Sequence, residues 1–85
     1  MGKYKVLIKP SAVKELDDIP KKDLQKITQK IRDLSENPRP HGCQKLSGEK
    51  KYRIRQGDYR VIYSIDDDRL TVLVVKVAHR REVYR

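Results

Sequence analysis

The first half of the chain changes from a short strand pattern to a helical one. Residues 4–9 are rich in strand-forming side chains and predict a first strand. Ser11 is a candidate N-terminal cap for a short helix that ends near Pro20. A second helix is predicted from a stripe of apolar side chains at helical spacing: Leu24, Ile27, Ile31 and Leu34. An Asn-Pro-Arg-Pro run ends this helix, and residues 38–49 are predicted to form a loop.

The second half of the chain has the two-residue period of β-strands. Residues 52–55 and 59–65 alternate apolar and polar side chains, whereas residues 70–78 are apolar on both faces and predict a central strand covered on both sides. The fold class is therefore α+β. We expect an N-terminal strand, a two-helix hairpin and then a three-stranded antiparallel meander, all in one sheet with the helices on one face.

The turn between the first two meander strands sets their register. If Gly57-Asp58 is a two-residue turn, Arg55 faces Arg60 and Ile54 faces Val61. Cross-strand partners share a face, so the apolar pair lies under the helices and the opposite face carries Arg53, Arg55 and Arg60. A slip of one residue would place an arginine in the core, so burial selects this register. The arginine cluster indicates an anion site, with a solvated polar face as the alternative.

Composition and charge bound the possible functions. The 85 residues suit a single domain spanning residues 1–85, with 36% hydrophobic and 39% charged residues. Because Trp and Phe are absent, we expect an aliphatic core with the five tyrosines at its margins. The net charge of +9 favours a polyanionic partner. Nucleic acid leads, ahead of an acidic protein, an anionic membrane surface or a charged surface without a partner.

Several other classes of site and location are disfavoured. The single cysteine, Cys43, cannot form an internal disulfide, and a zinc site from His41, Cys43 and His79 has the wrong spacing and lacks a fourth ligand. No stretch is suited to a signal peptide or a membrane span, so a cytoplasmic protein without a membrane association is expected.

The C-terminal residues 78–85 combine basic side chains with groups that can move a proton. His79 is a candidate general acid or base, although a lone histidine is more often structural. If this segment follows the central strand, it can fold over the arginine-bearing face. That arrangement would add further anion-binding groups to the cluster.

Three phrases in order along the chain resemble the RelE/ParE toxin superfamily. They are Tyr-Arg-Ile-Arg at residues 52–55, Gly-Asp-Tyr-Arg-Val-Ile-Tyr at residues 57–63, and Val-Ala-His-Arg-Arg-Glu-Val-Tyr at residues 77–84. The Asn-Pro pair at residues 37–38 and Lys-Leu-Ser-Gly at residues 45–48 are also similar to the family. The resemblance covers essentially the whole chain.

The resemblance to the RelE branch implies a toxin of a type II toxin–antitoxin system. Such a toxin cleaves mRNA in the ribosomal A site by metal-free attack of the RNA 2′-hydroxyl, without a small-molecule cofactor, and is held inactive by a RelB-like antitoxin. The resemblance implies catalytic roles for Arg55, Arg60, Arg80 and Tyr84, and His79 joins them as the candidate acid or base already identified. The residues assigned to RNA binding are Lys51, Arg53 and Arg81.

One departure from the RelE pattern bears on the proton acceptor. Well-known RelE enzymes have lysines at the positions of Arg53 and Arg55, and arginine stays protonated where lysine can be tuned towards a base. His79 or Tyr84 is therefore the expected proton acceptor. Two other functions stay open: a ParE-like toxin that inhibits DNA gyrase by binding, and a non-catalytic basic module that binds nucleic acid.

Overall fold

A computed structural model of the chain describes residues 2–46 and 50–79. In chain order it has β1 (Lys5–Ile8), α1 (Pro10–Asp17), α2 (Lys21–Asp33), β2 (Gln44–Lys45), β3 (Lys51–Gln56), β4 (Tyr59–Asp66) and β5 (Thr71–His79). The predicted α+β class is confirmed.

The five strands of the described residues form one sheet in the order β1-β5-β4-β3-β2. The meander of β3, β4 and β5 is antiparallel, and β1 lies parallel to β5. The prediction differs in detail at β2, a two-residue strand that pairs with β3 inside the segment predicted as a loop. Two residues are too few to show a period of two, so no sequence pattern marks this strand.

Prolines, and not the predicted cap residue, mark the starts of the two helices. The first helix begins at Pro10, with Lys9 in extended conformation at the cap position, so the prediction of Ser11 as the cap is wrong. Proline suits the first helical position because its φ is already helical and its missing N–H has no partner to lose there. The second helix likewise follows Pro20.

Both helices cover the same face of the sheet, α1 over β5 and α2 over β3. The largest side chains fully buried between the layers are Tyr63, Ile27, Leu34, Val61, Val72, Val74 and Val77. The expectation that every tyrosine lies at the margin of the core is wrong for Tyr63. Its hydroxyl donates a hydrogen bond of 2.7 Å to the carbonyl of Pro38, which removes the main cost of burying a tyrosine.

The last strand, β5, lies inside the sheet between β1 and β4, as expected for a central strand. Cover on both faces is only partly confirmed. Val72 and Val74 are fully buried beneath the helices, whereas Leu73, on the opposite face, is partly exposed. The helix-free face of the sheet is therefore the accessible one, and it carries the arginines.

Candidate functional site

The hairpin of β3 and β4 has the predicted register. Arg55 pairs with Arg60 and Ile54 pairs with Val61 across the two strands. The turn between them is Gly57-Asp58, and Gly57 has a φ of +61°, a conformation that glycine adopts without steric cost. This turn fixes which side chains of the hairpin share a face.

Three arginines lie together on the helix-free face but differ in depth. Because Ile54 and Val61 point into the core, strand alternation directs Arg53, Arg55 and Arg60 to the other side of the sheet. Arg55 is exposed and Arg53 is partly exposed. Arg60, predicted on the face opposite the core, is only 3% exposed. We refer to these three residues as the arginine face.

Arg60 lies in the interior of the sheet. On β4 it is placed between Arg55 on β3 and Ala78 on β5, so it has a cross-strand neighbour on each side. Sequence alternation identifies the face to which a side chain points, but not how deeply neighbouring strands enclose it. A guanidinium in such a low-dielectric position attracts an anion more strongly than one in open solvent.

The outer strand β2 orients one member of the arginine face. Gln44 is the cross-strand partner of Arg53, and its side-chain oxygen accepts a hydrogen bond from Nη2 of that arginine. Lys51 pairs with Ser64 and shares the same face at the other end of β3. Basic side chains therefore recur at every second residue of β3, from Lys51 through Arg53 to Arg55. This spacing suits a polyanion lying along the strand.

His79 lies on the other side of the sheet. It pairs with Tyr59, and the two rings meet edge to face with centroids 5.4 Å apart and an interplanar angle of 86°. Both rings line a small cavity of about 150 Å³ together with Ile19, which lies between α1 and α2. Its neighbour Ala78 pairs with Arg60 instead. Within the described residues, the structure thus separates His79 from the arginine face.

The remaining predicted site residues, Arg80, Arg81 and Tyr84, lie outside the described residues. Their assignment rests on the resemblance alone. The described part of the site consists of Lys51, Arg53, Arg55 and Arg60.

A cleft of about 640 Å³ in the described part of the chain lies away from the hairpin turn. Its walls combine the basic side chains of Arg39, Lys45 and Lys50 with the three aspartates of residues 66–68. Arg39 donates to both oxygens of Asp67, at 3.2 and 2.8 Å. Because opposite charges balance here, the cleft is less suited to a polyanion than the arginine face is.

A polar cluster that sequence reasoning missed surrounds Asp67. Besides Arg39, the hydroxyl of Tyr4 donates to its carboxylate at 2.7 Å. The hydrogen bonds from Arg39 and Tyr4 lower the pKa of Asp67 from its ordinary value of 3.8 to about 2. No pattern could have joined these residues, since they come from the N-terminus, a loop and a strand turn that only the fold brings together.

Among residues 2–46 and 50–79, no three histidine, cysteine, aspartate or glutamate side chains are placed to hold a metal ion. Neither helix in this part of the chain has the length and apolar character needed to cross a membrane.

Comparisons with known proteins match this architecture. Residues 6–84 match the family model for the ParE toxin of the type II toxin–antitoxin system parDE. Toxin RelG of Mycobacterium tuberculosis is 33% identical, over 96% of this chain and 97% of the relative. A putative toxin RelE1 of Methanocaldococcus jannaschii is 31% identical, over 98% of this chain and 97% of the relative.

A solved structure has the same fold. The archaeal RelE–RelB complex from Pyrococcus horikoshii contains a chain that superposes with a TM-score of 0.83 and 32% identity, covering 92% of this chain and 96% of the other. This chain therefore belongs to the RelE/ParE superfamily of toxins from type II toxin–antitoxin systems, within its RelE-like branch.

Proposed function

We propose that this toxin is a ribosome-dependent endoribonuclease that cleaves mRNA in the ribosomal A site. The observation that carries the proposal is the arginine face, where Arg53, Arg55 and Arg60 share the helix-free side of the sheet. Guanidinium groups bind phosphate oxygens with two parallel hydrogen bonds, which gives both affinity and orientation. The RelE names of the relatives support the same class of activity.

The members of this face have different roles in the proposal. Arg60, the most deeply placed, stabilises the charge that develops on the scissile phosphate, because preorganised donors act most strongly where water is excluded. Arg55 reaches the same phosphate from the exposed side of the cross-strand pair. Lys51 and Arg53 hold the RNA backbone along β3, and Arg81 extends this role.

The reaction needs no group beyond the RNA and the protein. The 2′-oxygen of the target nucleotide forms a bond to the adjacent phosphorus, and the bond from phosphorus to the 5′-oxygen of the next nucleotide breaks. The products are a 2′,3′-cyclic phosphate and a free 5′-hydroxyl. One proton leaves the 2′-hydroxyl and one reaches the departing 5′-oxygen, so a base and an acid must be positioned.

Proton transfer is assigned to the C-terminal residues. Because His79 packs against Tyr59 on the helix side, the proposal places the proton acceptor at Tyr84, with Arg80 beside the phosphate. His79 is kept as the rival acceptor. The two assignments differ in which substitution stops cleavage.

The proposed partner is a RelB-like antitoxin with an acidic surface. The Pyrococcus horikoshii relative was solved as a RelE–RelB complex, which supports a protein partner of this kind. The net charge of +9 makes an acidic partner complementary, and complementary charge speeds association.

Brief induction of the toxin followed by mapping of mRNA 5′ ends tests the activity. We expect new ends within translated codons, and cleavage by the purified protein of mRNA on ribosomes but little of naked RNA. The few tyrosines offer little surface for stacking bases, so naked RNA should bind weakly and with strong salt dependence. Cleavage of naked RNA as fast as of ribosome-bound mRNA would contradict ribosome dependence.

Inhibition of DNA gyrase is the second candidate, because the matching family model is that of a ParE toxin. A supercoiling assay with purified gyrase separates the two functions. Loss of supercoiling at toxin concentrations that leave ribosome-bound mRNA intact would favour the ParE-like function over the proposed one.

A further inference from the structure

A carboxylate from α1 holds the backbone of β5 close to the arginine face. Oε1 of Glu15 accepts a hydrogen bond of 3.0 Å from the backbone N–H of Val77. Oε2 of the same carboxylate accepts one of 3.0 Å from Nζ of Lys76, with which it forms an ion pair. Both interactions are partly buried, so they are less screened by solvent than a fully exposed pair.

This carboxylate lies beyond the point at which β1 stops pairing with β5. Pairing between β1 and β5 ends at Ile8 and Val74, and a hydrogen bond of 2.9 Å from the N–H of Lys9 to the carbonyl of Val74 is the last backbone contact there. The chain then turns into α1. Beyond Val74, β5 has no pairing with β1. The backbone N–H of Val77 therefore donates to the carboxylate of Glu15 in place of a carbonyl of a neighbouring strand.

The same stretch of β5 contains an irregularity that decides which side chains face Arg60. Ile62 pairs with Lys76, whereas the next residue, Tyr63, pairs with Val74, so β5 carries one extra residue. Beyond it, Ala78 lies opposite Arg60. Without the extra residue the register would slip by one. Val77 would then lie opposite Arg60, and Lys76 would turn towards the core.

We propose that Glu15 is a positioning residue for the RNA-cleaving site. It acts through the backbone of Val77 and the side chain of Lys76, which directly follow the extra residue, and so keeps the small side chain of Ala78 beside Arg60. The inference rests on the proposed function, because it concerns the geometry of that same site.

The test compares two substitutions that remove the same charge. In Glu15→Gln the amide oxygen can still accept from Val77, whereas Glu15→Ala has no acceptor. We expect Glu15→Ala to lower kcat for cleavage of ribosome-bound mRNA by about 10- to 100-fold with KM little changed, since small displacements of reacting groups have effects of this size. For Glu15→Gln, kcat should stay within about threefold of the wild-type value. The conservative variant would thus retain the function that Glu15→Ala loses.

The matched control is Asp18→Ala. Asp18 follows the same helix, lines the same small cavity as Glu15 and carries the same charge, so its loss should leave kcat unchanged. Amide hydrogen exchange gives a readout independent of cleavage. In Glu15→Ala the Val77 amide should exchange faster with solvent. The cross-strand proximity of Ala78 and Arg60, to be measured by NMR, should weaken in the same variant.

The outcomes separate this inference from the proposed function. Wild-type protein that cleaves mRNA, together with Glu15→Ala protein that cleaves equally fast, overturns the positioning role alone. Equal losses of kcat in Glu15→Ala and Glu15→Gln also overturn it, because the acceptor would then not matter. Wild-type protein that fails to cleave mRNA on ribosomes overturns the proposed function and this role with it.

Discussion

Arg55 and Arg60 lie directly opposite each other across the hairpin, yet Arg55 is exposed and Arg60 is only 3% exposed. Like charges in cross-strand positions destabilise a sheet, and burying a charge adds a desolvation cost. A bound phosphate would offset both effects by placing negative charge between the two guanidinium groups.

Replacement of Arg60 by methionine tests the proposed phosphate contact without emptying the site. Methionine occupies much of the same volume, and because it has no charge it carries no desolvation cost in this buried position. We expect Arg60→Met to fold and to cleave ribosome-bound mRNA roughly 10²- to 10³-fold more slowly, the usual cost of losing one transition-state donor.

The control for Arg60 is Arg69→Ala, since the Arg69 side chain is 86% exposed in the β4–β5 turn and its loss removes the same charge. That variant should cleave at the wild-type rate. Arg60→Met protein as toxic as wild type, at equal expression, would falsify the role of Arg60 at the phosphate.

Arg55 is expected to act on RNA affinity with little effect on folding. Because its side chain is exposed, Arg55→Ala should change the free energy of unfolding by less than about 0.5 kcal/mol. Loss of one phosphate contact should reduce the slope of log K against log salt by roughly 0.7 in binding to single-stranded RNA. An unchanged slope, measured by titration at several salt concentrations, would mean that Arg55 touches no phosphate.

The identity of the proton acceptor is tested by His79 and Tyr84. Since His79 packs on the helix side against Tyr59, we expect His79→Ala to keep most of the cleavage rate at neutral pH. Tyr84→Phe should lose most of it while ribosome binding changes little, if the hydroxyl moves or orients the proton. Wild-type rates for Tyr84→Phe and a loss for His79→Ala would reverse the assignment.

Acid stability should depend on Asp67. Its pKa is lowered from 3.8 to about 2 by hydrogen bonds from Arg39 and Tyr4, so the folded protein binds this proton less readily than the unfolded chain. The contribution to stability is therefore complete above about pH 4 and is lost as the pH falls towards about 2. Urea midpoints measured across this range should fall less steeply for Asp67→Asn than for wild type.

The control for this pH effect is Asp68→Asn, which removes the same charge from the adjacent position of the turn. Its urea midpoints should keep the steep wild-type fall. If both variants behave alike, general charge in the acidic turn, and not the contacts of Asp67, controls acid stability.

The buried hydroxyl of Tyr63 should contribute to folding. Tyr63→Phe removes its hydrogen bond to the carbonyl of Pro38 and leaves that acceptor in a buried position, which costs roughly 1–3 kcal/mol. Urea denaturation measures the change. Tyr59→Phe, at a partly exposed position that keeps its ring contact with His79, is the matched control and should alter stability much less.

The sequence by itself determined the class of fold and the register of the hairpin. The apolar stripe at Ile27 and Ile31 predicted a helix face. The pairing of Ile54 with Val61 was favoured because a slip of one residue would turn an arginine towards the helices. Such features are decided locally, by the period of the side chains and by a short turn. The membership of Arg53, Arg55 and Arg60 in one face followed from the same argument.

Only the tertiary structure decided how deeply those side chains lie and what surrounds them. The burial of Arg60, the extra residue in β5 and the bond from Glu15 to Val77 all depend on elements far apart in the chain. His79 shows the consequence most clearly. Side-chain alternation along β5 predicts the face on which His79 lies only if the position of the bulge is known. A bulge has no sequence period, because the contacts of β5 with neighbouring strands and with α1 determine where it forms.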